Sequence, residues 1–349
     1  MNRNPRRSVR WLGIVICIAC IACGVGAGAT EAEEPFELVD QTGRTVRIDP
    51  PVDRLVSVYG PGTFAVYALG AGDRLMMAWY VGVKGIQQAS ESMFRLEPRL
   101  EQTLSFGDPN VEEVVARGAQ LVLVDGSRHG AFADQLAELD IPVIRYLVET
   151  PEALMASIRL TGQALGAAAR ERANDFVNDY DRLAAAVQSD LADIEPDKRV
   201  RVLFLGTDPL TVASGDMYQT YLIEAAGGVS VSQELTGYWN EVNLEQILLW
   251  NPEVIVIPPY GPVQPSTLLE NPDWAAVAAV HKGQVYRMPR VFAPMDTPVP
   301  ESMLGIAWMA RRFYPDLLRI DLAAEADRFY AIYYGYALTD SEREHLIGP

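Results

Sequence analysis

The sequence has little that supports covalent chemistry. Its 349 residues include three cysteines, and all three (Cys17, Cys20 and Cys23) fall within the first 29 positions. Beyond that stretch there is no thiol for a disulfide, a nucleophile or a thiolate metal site. Histidine is equally scarce. His129, His281 and His345 stand far apart, with no H-x-x-x-H pair, H-E-x-x-H helix or paired D-x-D loop. A bare Zn²⁺, Mn²⁺ or Ca²⁺ site therefore lacks ligands at a recognisable spacing. A G-x-S-x-G elbow is missing too, so hydrolase chemistry has no nucleophile. Positive charge is short: 29 Lys and Arg face 46 Asp and Glu, a formal charge of −17. That balance excludes a general nucleic-acid binder, which needs a basic face, and a polybasic membrane-surface protein.

A long hydrophobic run is absent as well. The apolar stretch Trp11–Cys23 covers 13 residues, whereas a membrane-crossing helix needs roughly 20. Arg3, Arg6, Arg7 and Arg10 precede it, no acid occurs before Glu31, and Ala27-Gly28-Ala29 follows. A basic start, a short apolar middle and an A-x-A end describe a signal peptide over residues 1–29, so an exported protein is expected. Plain cleavage after Ala29 and lipid anchoring through Cys20 or Cys23 both stay open. Arg6-Arg7 suggests twin-arginine export, although the residues after it match poorly. Removing the leader leaves 25 basic and 46 acidic residues, or −21. About 320 residues supply two domains and a core that needs no disulfides.

What is present is alternation. Nearly all-apolar runs at Leu55–Tyr59, Leu75–Tyr80, Leu121–Asp125, Pro142–Leu147, Val200–Gly206, Val254–Pro258 and Gln284–Met288 suit parallel strands covered on both faces. Helical patterns separate them: Thr63–Leu69, Val111–Ala116, Ala131–Leu139, Tyr218–Ala226, Leu244–Trp250 and Pro300–Phe313. Between the two sets, residues 151–194 carry apolar positions at helical spacing, and the second half predicts a helix of ~40 Å. The fold class is α/β: two Rossmann-like lobes with parallel sheets (35–166 and 199–349) bridged by one long helix (167–195), with a ligand cleft between the lobes. An internal echo supports the two lobes. Residues 110–124 align without gaps on 243–257, each with an Asn cap, a Glu at the second helical position (Glu112, Glu245) and a buried strand.

Gly60-Pro61-Gly62-Thr63-Phe64-Ala65 has the G-x-G-x-x-A form of a dinucleotide turn, but the next strand ends in Trp79-Tyr80 instead of an acid. A tight turn presenting backbone N–H groups to some ligand is the better reading. Aromatic and arginine residues gather where strands end or in the loops beyond: Tyr59, Trp79, Tyr80, Arg128 and Arg145 in the first lobe, and Tyr238, Trp239, Tyr260 and Arg290 in the second. Ligands of open parallel sheets bind beyond the carboxyl ends of the strands. Aromatic faces with a few arginines suit a large, flat, partly anionic ligand.

The chain resembles a known family. Phe36–Val46, Asp53–Ser57 and Tyr67–Leu75 are similar to the opening of periplasmic binding proteins for ferric siderophores, haem and cobalamin. Asn110–Val114, Ala226–Val229, Leu244–Ile247 and Gly283–Arg287 continue the likeness in family order. The resemblance implies an extracytoplasmic solute-binding component of an ABC importer, not an enzyme, that captures an iron(III) chelate (siderophore or haem-like) or a related metal complex. No resident cofactor is implied, since the ligand carries its own metal. A monomer is expected, with an ABC permease dimer as partner, docked through Glu112 and Glu245. Asp296–Gly305 and Phe329–Gly335 are similar to an iron-transport branch that also resembles binders of molybdate or tungstate, so that oxyanion is the alternative. The family's usual residues after the first strand are replaced here by Gly60–Phe64. An exported α/β enzyme using the cleft is the alternative of another class.

Overall fold

Alternate residues of each apolar run supply two different cores. A computed structural model describes Met1, residues 34–81 and residues 83–348; the leader, with Cys17, Cys20 and Cys23, lies outside the described residues. In the first sheet the strands run parallel in the order Leu75–Ala78, Leu55–Ser57, Leu121–Asp125, Val143–Tyr146. Leu55, Leu121, Leu123 and Ile144 face one core, while Val56, Val122 and Val124 face another with Val114, Phe132 and Leu136. Side chains of a strand alternate between faces, so a run apolar on both requires cover on both.

The second sheet repeats the plan in the order Val285–Arg287, Val254–Ile257, Arg201–Phe204, Val229–Ser230, again parallel. Here Leu203, Ile255 and Ile257 pack into an outer core, and Val202, Phe204 and Val256 into an inner one. The inner faces of both sheets belong to one contiguous core, which also holds Phe176, Tyr180, Leu183 and Val187 of the long helix.

That helix runs Ala167–Asp190, about 36 Å at 1.5 Å per residue. It is the second of two. Pro151–Leu165 precedes it, and Gly166, at φ +100°, breaks the ladder between them. A Cβ on the neighbouring Gly162 would meet the Ala173 side chain at 2.7 Å, so a glycine there lets the two helices approach. The helix stops at Asp190, whose carboxylate holds the Arg319 guanidinium at 2.9 Å.

Three elements lie outside the strand-helix alternation. An antiparallel hairpin, Phe36–Val39 with Thr45–Ile48, opens the described chain, and a short pair joins Thr211–Val212 to Asn240–Glu241. At the other end the chain returns to the first lobe. Helix Leu322–Tyr334 packs on helix Gly60–Ala68, and Glu342 of helix Asp340–Ile347 takes hydrogen bonds from Ser92 and, at 3.0 Å, from Arg95. The segment 199–349, expected to form the second lobe alone, thus contributes its last helices to the first.

Candidate ligand-binding cavity

Parallel strands place all their carboxyl ends on one edge of a sheet, and the first lobe builds a cavity of about 640 Å³ there. Tyr59 and Trp79 follow two strands, and Asp125, Arg128 and His129 close the third. Tyr80, Val83, Lys84 and Phe106 extend the wall, with Gly60 and Pro61 at the start of helix Gly60–Ala68. Glycine at position 60 is required by space, because a Cβ would fall 2.3 Å from Val81 Cγ2.

Hydrogen bonds fix the polar members. Asp125 Oδ1 accepts from Ser127 N–H (2.8 Å), Ser127 Oγ (2.6 Å) and Arg128 N–H (3.2 Å), and its Oδ2 lies 3.6 Å from Arg128 Nε. His129 Nδ1 accepts the Asp125 N–H, and the imidazole sits edge-on to Trp79 at 5.8 Å. Burial lowers the His129 pKa, so at neutral pH the ring is uncharged. Tyr59 stacks on the buried Tyr146 ring at 6.2 Å. Burial, then the charges of Asp125 and Glu149, push its phenol far above the ordinary range, and it remains a neutral hydroxyl.

Tyr238, of the second lobe, lies beside this cavity. Tyr238 Oη donates to Glu149 Oε1 at 3.1 Å, and its ring lies 5.8 Å from the Arg128 guanidinium. Desolvation, with the Asp125 charge adding, raises the Glu149 carboxyl pKa.

The predicted site residues therefore divide. Tyr59, Trp79, Tyr80 and Arg128 share the cavity, with Tyr238 at its edge. The Tyr80 hydroxyl turns inward, to Tyr67 Oη (2.7 Å) and Thr103. Arg145 points elsewhere: it is buried and pairs with Asp134 at 2.6 Å. Trp239 packs on Phe204, with ring centroids 6.5 Å apart. Tyr260 donates to the fully buried Asp296 at 2.7 Å, and Arg290 is half-buried near the buried Glu301. A cavity lined by both lobes was expected; the lining residues found all belong to the first. Glu149, Phe106, Lys84 and Asp125 were missed. Glu149 and Asp125 sit at or just past strand ends, the signal used for the aromatics, whereas Phe106 follows a short helix and gives none.

Glu112 and Glu245 are both exposed in the first turn of short helices, Val111–Ala116 and Leu244–Trp250. Asn110 Oδ1 accepts from the N–H of Glu112 (2.7 Å), and Asn243 Oδ1 from that of Gln246 (2.8 Å). Each helix leads into a buried strand, so the echo in sequence is an echo in structure.

Residues 55–291 match the family model described as periplasmic binding protein. The chain belongs to that family. Over 341 residues it is 25% identical to the molybdate-binding protein MolA of Haemophilus influenzae, covering 90% of this chain and 95% of that one. It is 29% identical over 206 residues to a vitamin B12-binding protein of Yersinia pestis, covering 59% and 69%. Among solved structures, a periplasmic solute-binding protein from Veillonella parvula superposes with a TM-score of 0.78 at 26% identity, covering 89% and 96%. The binding protein is the substrate-binding component of an ABC transporter, and its partner is a transporter permease. Its relatives are transport proteins, not enzymes. Among the described residues no helix is long and apolar enough to cross a membrane, and no group of three or more His, Cys, Asp or Glu is placed to hold a metal ion.

Proposed function

We propose that this exported binding protein captures an anionic iron(III) chelate, siderophore- or haem-like, in the first-lobe cavity and passes it unchanged to the permease. The observation that carries the reading is the cavity itself: about 640 Å³, with Tyr59, Trp79, Tyr80 and Phe106 offering aromatic surface. That volume lies within the range of sites for drug-sized ligands. Arg128 and Lys84 supply positive charge, and the start of helix Gly60–Ala68 adds the favourable end of a helix dipole.

A second reading, capture of molybdate or tungstate, draws on the same helix start and on the relative named for molybdate. Asp108 and Asp125 in the wall, and Glu149 at the rim, oppose a small bare dianion. A larger chelate spreads its charge and can direct it toward Arg128 and Lys84.

Native mass spectrometry and tryptophan fluorescence with a ferric tris-catecholate, a ferric hydroxamate, haemin and molybdate test the choice. Saturable binding of an iron chelate, with the quench reduced in Trp79→Phe, is expected. Binding of molybdate alone would replace the first reading by the second. Turnover of a bound chelate would overturn both.

A further inference from the structure

The opposite edge of the second lobe carries a second cavity, about 510 Å³, at the amino ends of three adjacent strands: Val200, Val254 and Gln284, each at or just before a strand start, lie in its wall. Three cations line it, Lys282, Arg311 and Arg312, in a chain whose formal charge is −17. Among the described residues no carboxylate lies within ion-pair distance of any of the three. Glu253, an acid in the wall, accepts the Arg201 N–H at 3.1 Å.

Arg312 is held in place. Its guanidinium lies 4.9 Å from the Trp308 ring centroid and 5.4 Å from that of Tyr286, and one amino group donates to the Ile347 carbonyl at 2.6 Å. Its Nε–H is buried with no acceptor. Burial first, and the adjacent Arg311 charge after it, work against its positive charge, with Tyr286 opposing. A helix dipole accounts for arginines in the last turn of Ser302–Phe313. It does not account for Lys282, which enters the same cavity from the turn after helix Ala278–His281.

We propose that this cavity is a second binding site, for a multiply charged phosphate-bearing group, gripped by Arg311 and Arg312 with Lys282 as a point charge. A fixed guanidinium beside a second one matches a group with several acceptor oxygens and more than one negative charge. Such a group comes either from a free phosphate compound or from an anionic lipid headgroup.

Isothermal titration of the full-length protein with pyrophosphate at constant ionic strength tests the site, alongside flotation with phosphatidylcholine vesicles with and without phosphatidylglycerol. Arg311→Gln and Lys282→Gln are the variants, because neither side chain has an ion-pair partner to lose among the described residues. Expected is saturable binding weakened about tenfold or more in each, and unchanged in the first-lobe variant Trp79→Ala. Pyrophosphate binding without flotation identifies a free phosphate ligand; flotation that depends on phosphatidylglycerol and on Arg311 identifies a headgroup. Absence of both, or binding that survives both substitutions in correctly folded protein, overturns the proposal.

Discussion

Tyr238 and Glu149 stand on different lobes and are joined by a hydrogen bond of 3.1 Å at the rim of the binding cavity. Both partners stand beside lining residues of that cavity, Tyr238 near Arg128 and Glu149 near Tyr59, so the bond is expected to hinder ligand release. Tyr238→Phe keeps the ring beside Arg128 and removes the hydroxyl, at a cost of about 0.5–1.5 kcal/mol. Release of a bound ferric chelate, followed by stopped flow, should quicken several-fold. The Glu149 carboxyl is raised by desolvation. As pH falls through its pKa the carboxylate loses the charge that makes it a strong acceptor, so wild-type release should approach the variant's rate in acid. A rate difference that grows in acid would contradict this.

Trp79 and Trp239 should behave differently, although both follow or lie near strand ends. Trp79 lines the cavity, whereas Trp239 packs on Phe204. Trp79→Ala is expected to weaken chelate binding by about 1–3 kcal/mol, the range for a buried aromatic contact. Trp239→Ala should lower the melting temperature and leave affinity nearly intact. Equal losses of affinity would place Trp239 in the binding surface.

Stability should fall as pH rises from about 4 to about 7. Burial raises the Asp296 carboxyl to about 6 and the Glu301 carboxyl to about 7, against hydrogen bonds from Tyr260 and Tyr334. Between the unfolded and folded values the native state binds more protons, so raising the pH favours unfolding, on the order of 2–3 kcal/mol for each group. Denaturant midpoints across this window check it. Asp296→Asn and Glu301→Gln should each flatten the slope; an unchanged slope would show that these acids are not its source.

Glu112 and Glu245, if they meet the permease as the family resemblance implies, are expected to act on transport alone. Both are exposed, lie in matching helix turns of the two lobes, and are not among the residues that line the cavity. Exposed ion pairs contribute only ~0.2–1 kcal/mol each, so orientation and steering are their main effects. Glu112→Ala with Glu245→Ala should reduce uptake in reconstituted vesicles, more so at low salt, while the chelate dissociation constant holds. Normal uptake would return both residues to the role of helix-dipole partners.

Local signals made much of the fold legible. Helices Val111–Ala116 and Leu244–Trp250 have the bounds their Asn caps suggest, and seven parallel strands sit inside their apolar runs; Val229–Ser230, the fourth strand of the second sheet, is too short to stand out as one. The spacing predicts the long helix from residue 167 but gives 151–165 no bounds as a helix of its own, because Leu165 and Ala167, the flanks of Gly166, both suit a helix. The site was legible in position and not in direction. A strand end brings a residue to the correct edge, as for Tyr59 and Arg145 alike. Where the side chain then turns depends on distant partners, and Asp134 draws Arg145 away just as Asp296 draws Tyr260.

The return of the C-terminal helices has a consequence for biogenesis. Phe64 and Tyr67 of helix Gly60–Ala68 share a core with Phe329, Tyr330 and Tyr333, which are synthesised about 260 residues later. A chain that emerges from its N-terminus presents a first lobe with that flank uncovered until the final helices arrive. Truncation before helix Leu322–Tyr334 is therefore expected to destabilise the first lobe, the part of the molecule made earlier.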